Sequence, residues 1–179
     1  FMINLIEQIN RLFDNFQDPA CRAWDGYNPY LRPNWREGVE DELHLIREHS
    51  PIPLPEDYCE IFRRFGGGGI EDRRSNYAIP TMTFWKWDDI KEFDETVNFF
   101  EDCPHALPFG DDIGDIVYLY VHDGDDSGIY MAYKSDFFEE IQKLAGSLTE
   151  LFTDVETQRL FRNYYRFGCD KGGDGRSIR

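Results

Sequence analysis

Residues 116–133 read Ile-Val-Tyr-Leu-Tyr-Val-His-Asp-Gly-Asp-Asp-Ser-Gly-Ile-Tyr-Met-Ala-Tyr. Two runs of β-branched and aromatic residues, 116–121 and 129–133, flank His122–Gly128, a segment dense in Asp, Gly and Ser. Branched and aromatic side chains suit an extended backbone, and Gly and Asp suit reversal. The stretch therefore predicts a β-hairpin, the strongest strand signal in the chain.

Working upstream, Ile90, Phe93, Val97 and Phe100 repeat at spacings of three and four, which predicts a helix with an acidic outer face, closed by Pro104. Residues 77–85 read as a strand. Before them, Tyr58, Ile61, Phe62 and Phe65 line one face of a helix that begins after Pro53-Leu54-Pro55. Pro55 suits a first helical turn, where its missing N–H would be unpaired anyway. The glycines from Gly66 to Gly69 stop that helix. Val39, Leu43 and Ile46 mark another helix, ended before Pro51. At the start, Ile6, Ile9, Phe13 and Phe16 predict a helix over 3–16. Residues 18–36 read as an aromatic, proline-bearing loop containing Trp24 and Trp35.

Downstream, Asp136 followed by Glu139 resembles a helix cap, and Ile141, Leu144, Ala145, Leu148 and Phe152 supply an apolar stripe. A long helix is expected there. Thr153 and Glu156 form a second capping box before a last helix, and 170–179, Gly-rich and basic, reads as a frayed end. Helices at both ends and strands in the middle predict one α+β domain over 1–179. Its expected form is an antiparallel sheet of about four to six strands with helices packed around it and helical N- and C-terminal ends.

Length and composition agree. A chain of 179 residues, 41% hydrophobic and 16% aromatic, can build a core without disulfide staples. Its cysteines, at 21, 59, 103 and 169, lack zinc-ribbon or C-x-x-C spacing. Asn4 and Glu7 interrupt the only apolar start, and no run nears the roughly 18 apolar residues of a membrane span. The expectation is a cytoplasmic protein with reduced thiols.

Charge is the sharpest compositional fact. Lys and Arg number 19 against 35 Asp and Glu, a net −16. Such a chain is repelled by nucleic acid and anionic membranes and attracted to a basic partner, although solubility alone would also explain the acidity. Residues 88–140 hold sixteen acids and two bases, Lys91 and Lys134, which places −14 of the charge there. A solvated helix face accounts for Asp88 to Glu95. Two Asp-rich turns are the candidate partner-binding sites: Asp111, Asp112 and Asp115, and Asp123, Asp125 and Asp126. Asp also favours turns for local reasons, by bonding the backbone two residues on. Trp24 and Trp35 are candidate apolar anchors, because tryptophan dominates interface energetics.

Catalysis and metal binding find little support. A calcium loop needs a carboxylate at its twelfth position, but counting from Asp111 reaches His122 and from Asp123 reaches Lys134. No G-x-S-x-G, H-E-x-x-H or P-loop is present. His44 and His49 are five residues apart, which is not one helix face, and Cys103 with His105 is too local for a nucleophile–base pair. Neither cofactor, metal nor enzymatic activity is expected. The basic residues near the C-terminus permit self-association onto the acidic face, and the oligomeric state stays open.

Three stretches together carry a family resemblance. Leu54-Pro-Glu-Asp-Tyr58 with Ile61-Phe62 and Phe65-Gly-Gly resembles the signature helix and turn of the SUKH superfamily, with Phe65 in place of the usual Asn. Leu107-Pro-Phe-Gly-Asp-Asp-Ile-Gly-Asp115 resembles its second signature, a short strand leading through a Gly/Asp loop into a hairpin. Phe137 through Phe152 is similar to its closing helix. The resemblance covers about residues 37–153, leaving 1–36 and 154–179 as extensions. It implies a non-enzymatic binding protein. Bacterial members resemble immunity proteins that neutralise polymorphic toxins, often nucleases; fungal members resemble cell-wall regulators that act as hubs. The reading is an immunity protein whose acidic loops meet the basic surface of a cognate toxin. The alternative is a scaffold or regulatory hub.

Overall fold

In the computed structural model, residues 29–32, 39–65, 69–72, 82–112 and 114–153 are described. The elements run β1 (Pro29–Arg32), α1 (Val39–His49), α2 (Glu56–Phe65), β2 (Gly69–Asp72), β3 (Met82–Thr83), α3 (Trp87–Val97), α4 (Phe99–Asp102), β4 (Ala106–Asp111), β5 (Ile116–Val121), β6 (Gly128–Tyr133), β7 (Asp136–Ala145) and α5 (Leu148–Thr153). The strands form a three-stranded sheet, β1-β2-β3, and a four-stranded sheet, β4-β5-β6-β7, antiparallel throughout. The α+β class and the antiparallel sheet with helices around it are as the sequence predicts. The helices expected at 3–16 and after Thr153, the frayed tail, and Trp24 and Trp35 lie outside the described residues. Within the 18–36 loop, residues 29–32 form a strand instead, pairing with β2 from Pro29↔Asp72 to Arg32↔Gly69.

The hairpin of residues 116–133 is the centre of the larger sheet, in register from Ile116↔Tyr133 to Val121↔Gly128. Its apolar run is continuous because both faces of β5 are covered, as in sheets sandwiched between layers. Ile116, Tyr118 and Tyr120 join the larger core with Leu43, Ile46, Tyr58, Ile61, Phe62, Phe109 and Leu151. That core fills the space between the sheet and α1, α2 and α5. Val117 and Leu119 face the other way, into a smaller cluster with Phe99, Ala132 and Phe137. Phe93 and Val97 of α3 pack against that cluster. The helix expected over Ile90 to Phe100 breaks at Asn98, whose φ of 57° is left-handed and whose N–H bonds the Asp94 carbonyl at 2.6 Å. This is a helix stop that asparagine tolerates.

One expected element is wrong in kind. Residues 136–145 form strand β7, not the start of a long helix, and only Leu148–Thr153 is helical. The helical spacing of Ile141, Leu144, Ala145 and Leu148 is real, but β6 has a second edge whose buried N–H and C=O groups need partners. A Lys134-Ser135 turn returns the chain directly onto that edge. Satisfying the β6 backbone outweighs a helix propensity worth only tenths of a kcal/mol per residue. The cost of the switch is visible: Ile141, a core residue in the helical reading, is 45% exposed. The pairing is also irregular. Tyr133 pairs with Asp136 but Ala132 with Ile141, so Phe137–Glu140 bulge out of the ladder.

The two sheets meet at a seam. The Trp85 N–H donates to the Phe109 carbonyl at 2.8 Å, and Thr83 Oγ1 donates to Asp111 Oδ1 at 2.6 Å. At Gly110 the backbones approach so closely that a β-carbon there would overlap the Thr83 carbonyl oxygen. Deeper in the core, the Tyr58 hydroxyl is fully buried and has no hydrogen-bond partner among the described residues, and burial pushes its pKa above the usual phenol range. Two substitutions therefore carry opposite signs. Gly110→Ala should lower stability by roughly 2–4 kcal/mol, because backbone and not a pliable side chain must give way. Tyr58→Phe should raise it by about 1 kcal/mol by removing an unsatisfied hydroxyl. Urea denaturation read as a shift in midpoint at constant slope checks both.

Candidate functional site

The two Asp-rich turns occupy opposite ends of one strand. Asp111, Asp112 and Asp115 precede β5, and Asp123, Asp125 and Asp126 follow it. With about 3.4 Å of rise per residue, β5 separates them by roughly 17 Å. The sequence shows them only as near neighbours along the chain; the structure does not bring them into one cluster.

At the first end, two of the three aspartates are engaged inside the fold. Asp111 is only 16% exposed; its Oδ2 accepts from Lys134 Nζ at 2.7 Å and its Oδ1 from Thr83 Oγ1. Lys134 also lies 5.9 Å from the centre of the Trp85 ring, so its charge is held between a carboxylate and a π-face. Asp112 Oδ1 accepts the Gly114 N–H at 2.8 Å and the Ile116 N–H at 3.0 Å, the local turn bonding that aspartate supplies. Burial raises the Asp112 pKa above the ordinary carboxylate range, against the lowering effect of those two N–H groups. Asp115 is exposed, and its carbonyl accepts the Lys134 N–H at 2.8 Å.

At the other end, Asp123, Asp125 and Asp126 are all exposed. Ser127 Oγ accepts the Asp123 N–H at 2.9 Å, and the Asp126 carbonyl accepts the Tyr130 hydroxyl at 2.7 Å. Those bonds shape the turn through backbone atoms and leave the carboxylates facing outward. The His122 N–H donates to the His105 carbonyl at 2.8 Å, which sets the α4–β4 turn alongside. Glu101 and Asp102, exposed at the end of α4, thereby join the same end of the sheet. Sequence reading did not single them out; only the pairing of residues 105 and 122 reveals the proximity.

A third carboxylate, Asp57, was also not singled out. Its Oδ1 accepts the Tyr58 N–H at 2.8 Å and the Tyr120 hydroxyl at 3.3 Å. Its Oδ2 accepts the Thr149 N–H at 3.0 Å and the Thr149 hydroxyl at 3.2 Å. One side chain thus binds the start of α2, the last part of β5 and the first turn of α5, whose N–H groups lack helical partners. Burial raises the Tyr120 pKa, and the Asp57 charge adds to it. The arrangement makes Asp57 a fastener of the fold.

Among the described residues no group of three or more His, Cys, Asp or Glu side chains is arranged to hold a metal ion, and no helix is long and apolar enough to cross a membrane. The described cysteines, Cys59 and Cys103, are free thiols whose pKa values burial raises, which disfavours the reactive thiolate. The arrangement offers charged and apolar surface.

The profile of the SMI1 / KNR4 family (SUKH-1) matches residues 39–154, close to the 37–153 expected from the motifs. No curated protein and no solved structure matches the chain at a significant level.

The adjacent aspartates of the first turn should respond differently to neutralisation. Asp111→Asn leaves Lys134 without its counter-charge in a partly buried site and should cost about 1–2 kcal/mol. In Asp112→Asn the amide oxygen can still accept both N–H groups. A carboxyl whose folded pKa is raised stabilises the fold below that pKa and loses the contribution as pH rises through it. Asp112→Asn should therefore be at least as stable as the parent at pH 7, with the difference vanishing as pH falls through the carboxylate range. Denaturation midpoints of both variants between pH 3 and pH 8 test this.

Proposed function

We propose that this chain, which belongs to the SMI1 / KNR4 family (SUKH-1), is a cytoplasmic immunity protein. It neutralises a cognate secreted or contact-delivered toxin by stoichiometric binding, and the toxin acts on nucleic acid. The observation that carries the reading is the placement of the charge. Residues 88–140 contribute −14 of the net −16, and their two bases are both committed, Lys91 to Glu95 at 3.7 Å and Lys134 to Asp111. The exposed carboxylates of α3, α4 and the β5–β6 turn therefore project a field with little local compensation.

Such a field suits one class of partner. A surface that binds phosphate carries Lys and Arg, so a nuclease-type groove is basic. An acidic protein is drawn to that groove and speeds encounter, and complementarity across the contact supplies specificity. The same charge disfavours direct association of this chain with nucleic acid or an anionic membrane. The mechanism needs no catalytic group: covering the groove suffices, at one inhibitor per toxin.

The test is a titration, at low and high salt, against a purified toxin-like domain sought among the products of the genes beside this one. The expected result is a 1:1 complex with Kd near the nanomolar range, about −12 kcal/mol. Raising salt from roughly 50 to 500 mM, which cuts the screening length several-fold, should weaken it mainly by slowing association. Replacing exposed Asp123, Asp125 and Asp126 with Ser should flatten that salt dependence. No binding at either salt would remove the proposal for that pair.

A further inference from the structure

The most exposed large apolar side chains in the described structure lie three residues apart on β7. Phe138 is 59% exposed and Ile141 45%, well above most of the apolar residues around them. Phe138 sits in the bulge between the Tyr133↔Asp136 and Ala132↔Ile141 pairs. Its neighbour Phe137 is buried, with ring centres 6.3 Å from Phe93 and 5.2 Å from Phe99. The Phe137 and Phe138 rings lie 4.5 Å apart. The Glu139 N–H donates to Asp136 Oδ1 at 3.2 Å and closes the bulge from within. The outer ring is thus held by an anchored inner one and by a local hydrogen bond. Presenting it requires little further ordering, the condition under which an aromatic side chain contributes most to binding.

The surroundings are acidic. Asp136 precedes Phe138 and Glu139 lies between Phe138 and Ile141, both exposed, while the exposed Lys143 sits 5.8 Å from the Tyr130 ring. Asp115, also exposed, is joined to the same turn through the bond from the Lys134 N–H. The Lys134 charge is spent on Asp111. An apolar centre inside an acidic rim is the pattern of an energetic anchor shielded by a polar border.

We infer that Phe138 and Ile141, rimmed by Asp115, Asp136 and Glu139, are the anchor through which this chain docks a basic protein surface bearing an apolar recess. The inference rests on the immunity reading and deepens it by choosing the β4–β5 end of the sheet as the contact. Two other modes fit less well. Strand addition to β7 is hampered by the bulge, a feature that blunts sheet edges. Pairing of two copies along β7 would meet a second irregularity, since Tyr130 pairs with Lys143 but Ile129 with Ala145, and two acidic rims would face each other. A basic partner meets neither obstacle.

The experiment measures Kd and dissociation rate for the same toxin-like domain with Phe138→Ala, Ile141→Ala and, as a control on another element, Leu45→Ala, a residue of α1 that is 37% exposed. Circular dichroism and thermal melts confirm each variant is folded, and light scattering gives the mass of the free protein. The expected result is roughly a tenfold or greater loss of affinity for each β7 variant, mostly as faster dissociation, with Leu45→Ala unchanged. If the parent binds and neither β7 variant differs from it, the anchor is wrong while the immunity reading stands. If the parent does not bind, the reading itself fails and the anchor falls with it. A free protein that is dimeric and becomes monomeric on Phe138→Ala, with toxin affinity unchanged, would assign the patch to self-association and overturn the inference.

Discussion

The close approach of two backbones at Gly110 is the constraint on which the rest depends. The Thr83 carbonyl lies where any side chain at residue 110 would be, so the small sheet joins the large one only because that position is glycine. The bonds on either side, Trp85 N–H to the Phe109 carbonyl and Thr83 to Asp111, extend the join. Lys134, from the turn between β6 and β7, then closes on Asp111 and on Trp85. Three segments far apart in sequence are fixed at one point. Removing water from this ion pair is costly unless further hydrogen bonds satisfy the charges, and Thr83 supplies one of them.

That seam also decides how the acidic residues divide. Asp111 and Asp112 lie within four residues of Asp115 and are identical to it in chemistry, but they face inward, one onto Lys134 and one onto backbone N–H groups. Asp115, Asp123, Asp125 and Asp126 remain at the surface. Net charge describes the field at a distance, where all these groups count. Contact at short range involves only those with solvent-facing oxygens, and here the inward pair are fold residues first.

Legibility from sequence followed the range of the forces involved. The β5–β6 hairpin, α1 and α2 were legible because their signals are local: branched and aromatic runs, a Gly/Asp turn, Pro55 at a helix start. Residues 136–145 were misread because their local signal is helical while the deciding force, the unpaired edge of β6, is not contained in the segment. That error hid the apolar patch, since a helical stripe places Ile141 in the core and the bulged strand places it outside with Phe138. The acidic turns were legible as acidic. Their separation by the length of β5, and the company of Glu101 and Asp102 at the far end, depend on strand pairing that no short window contains.

The motifs that identify the family bear on function in an unexpected direction. Within Leu54–Tyr58 the polar residue that makes long-range bonds is Asp57, which ties α2 to β5 and α5. Within Leu107–Asp115 the residues with defined roles are Gly110 at the seam, Asp111 on Lys134 and Asp112 in its turn. Both motifs are thus fasteners of the fold. A residue engaged in holding two elements together is poorly placed to vary with a partner, because changing it costs stability before it alters recognition. On the proposed immunity reading, discrimination between partners resides in positions outside the fasteners: exposed carboxylates such as Asp115 and Asp123, and an apolar pair such as Phe138 and Ile141. On that reading, family membership and partner identity are written in different residues of this chain, and the second set is sought in exposure and pairing.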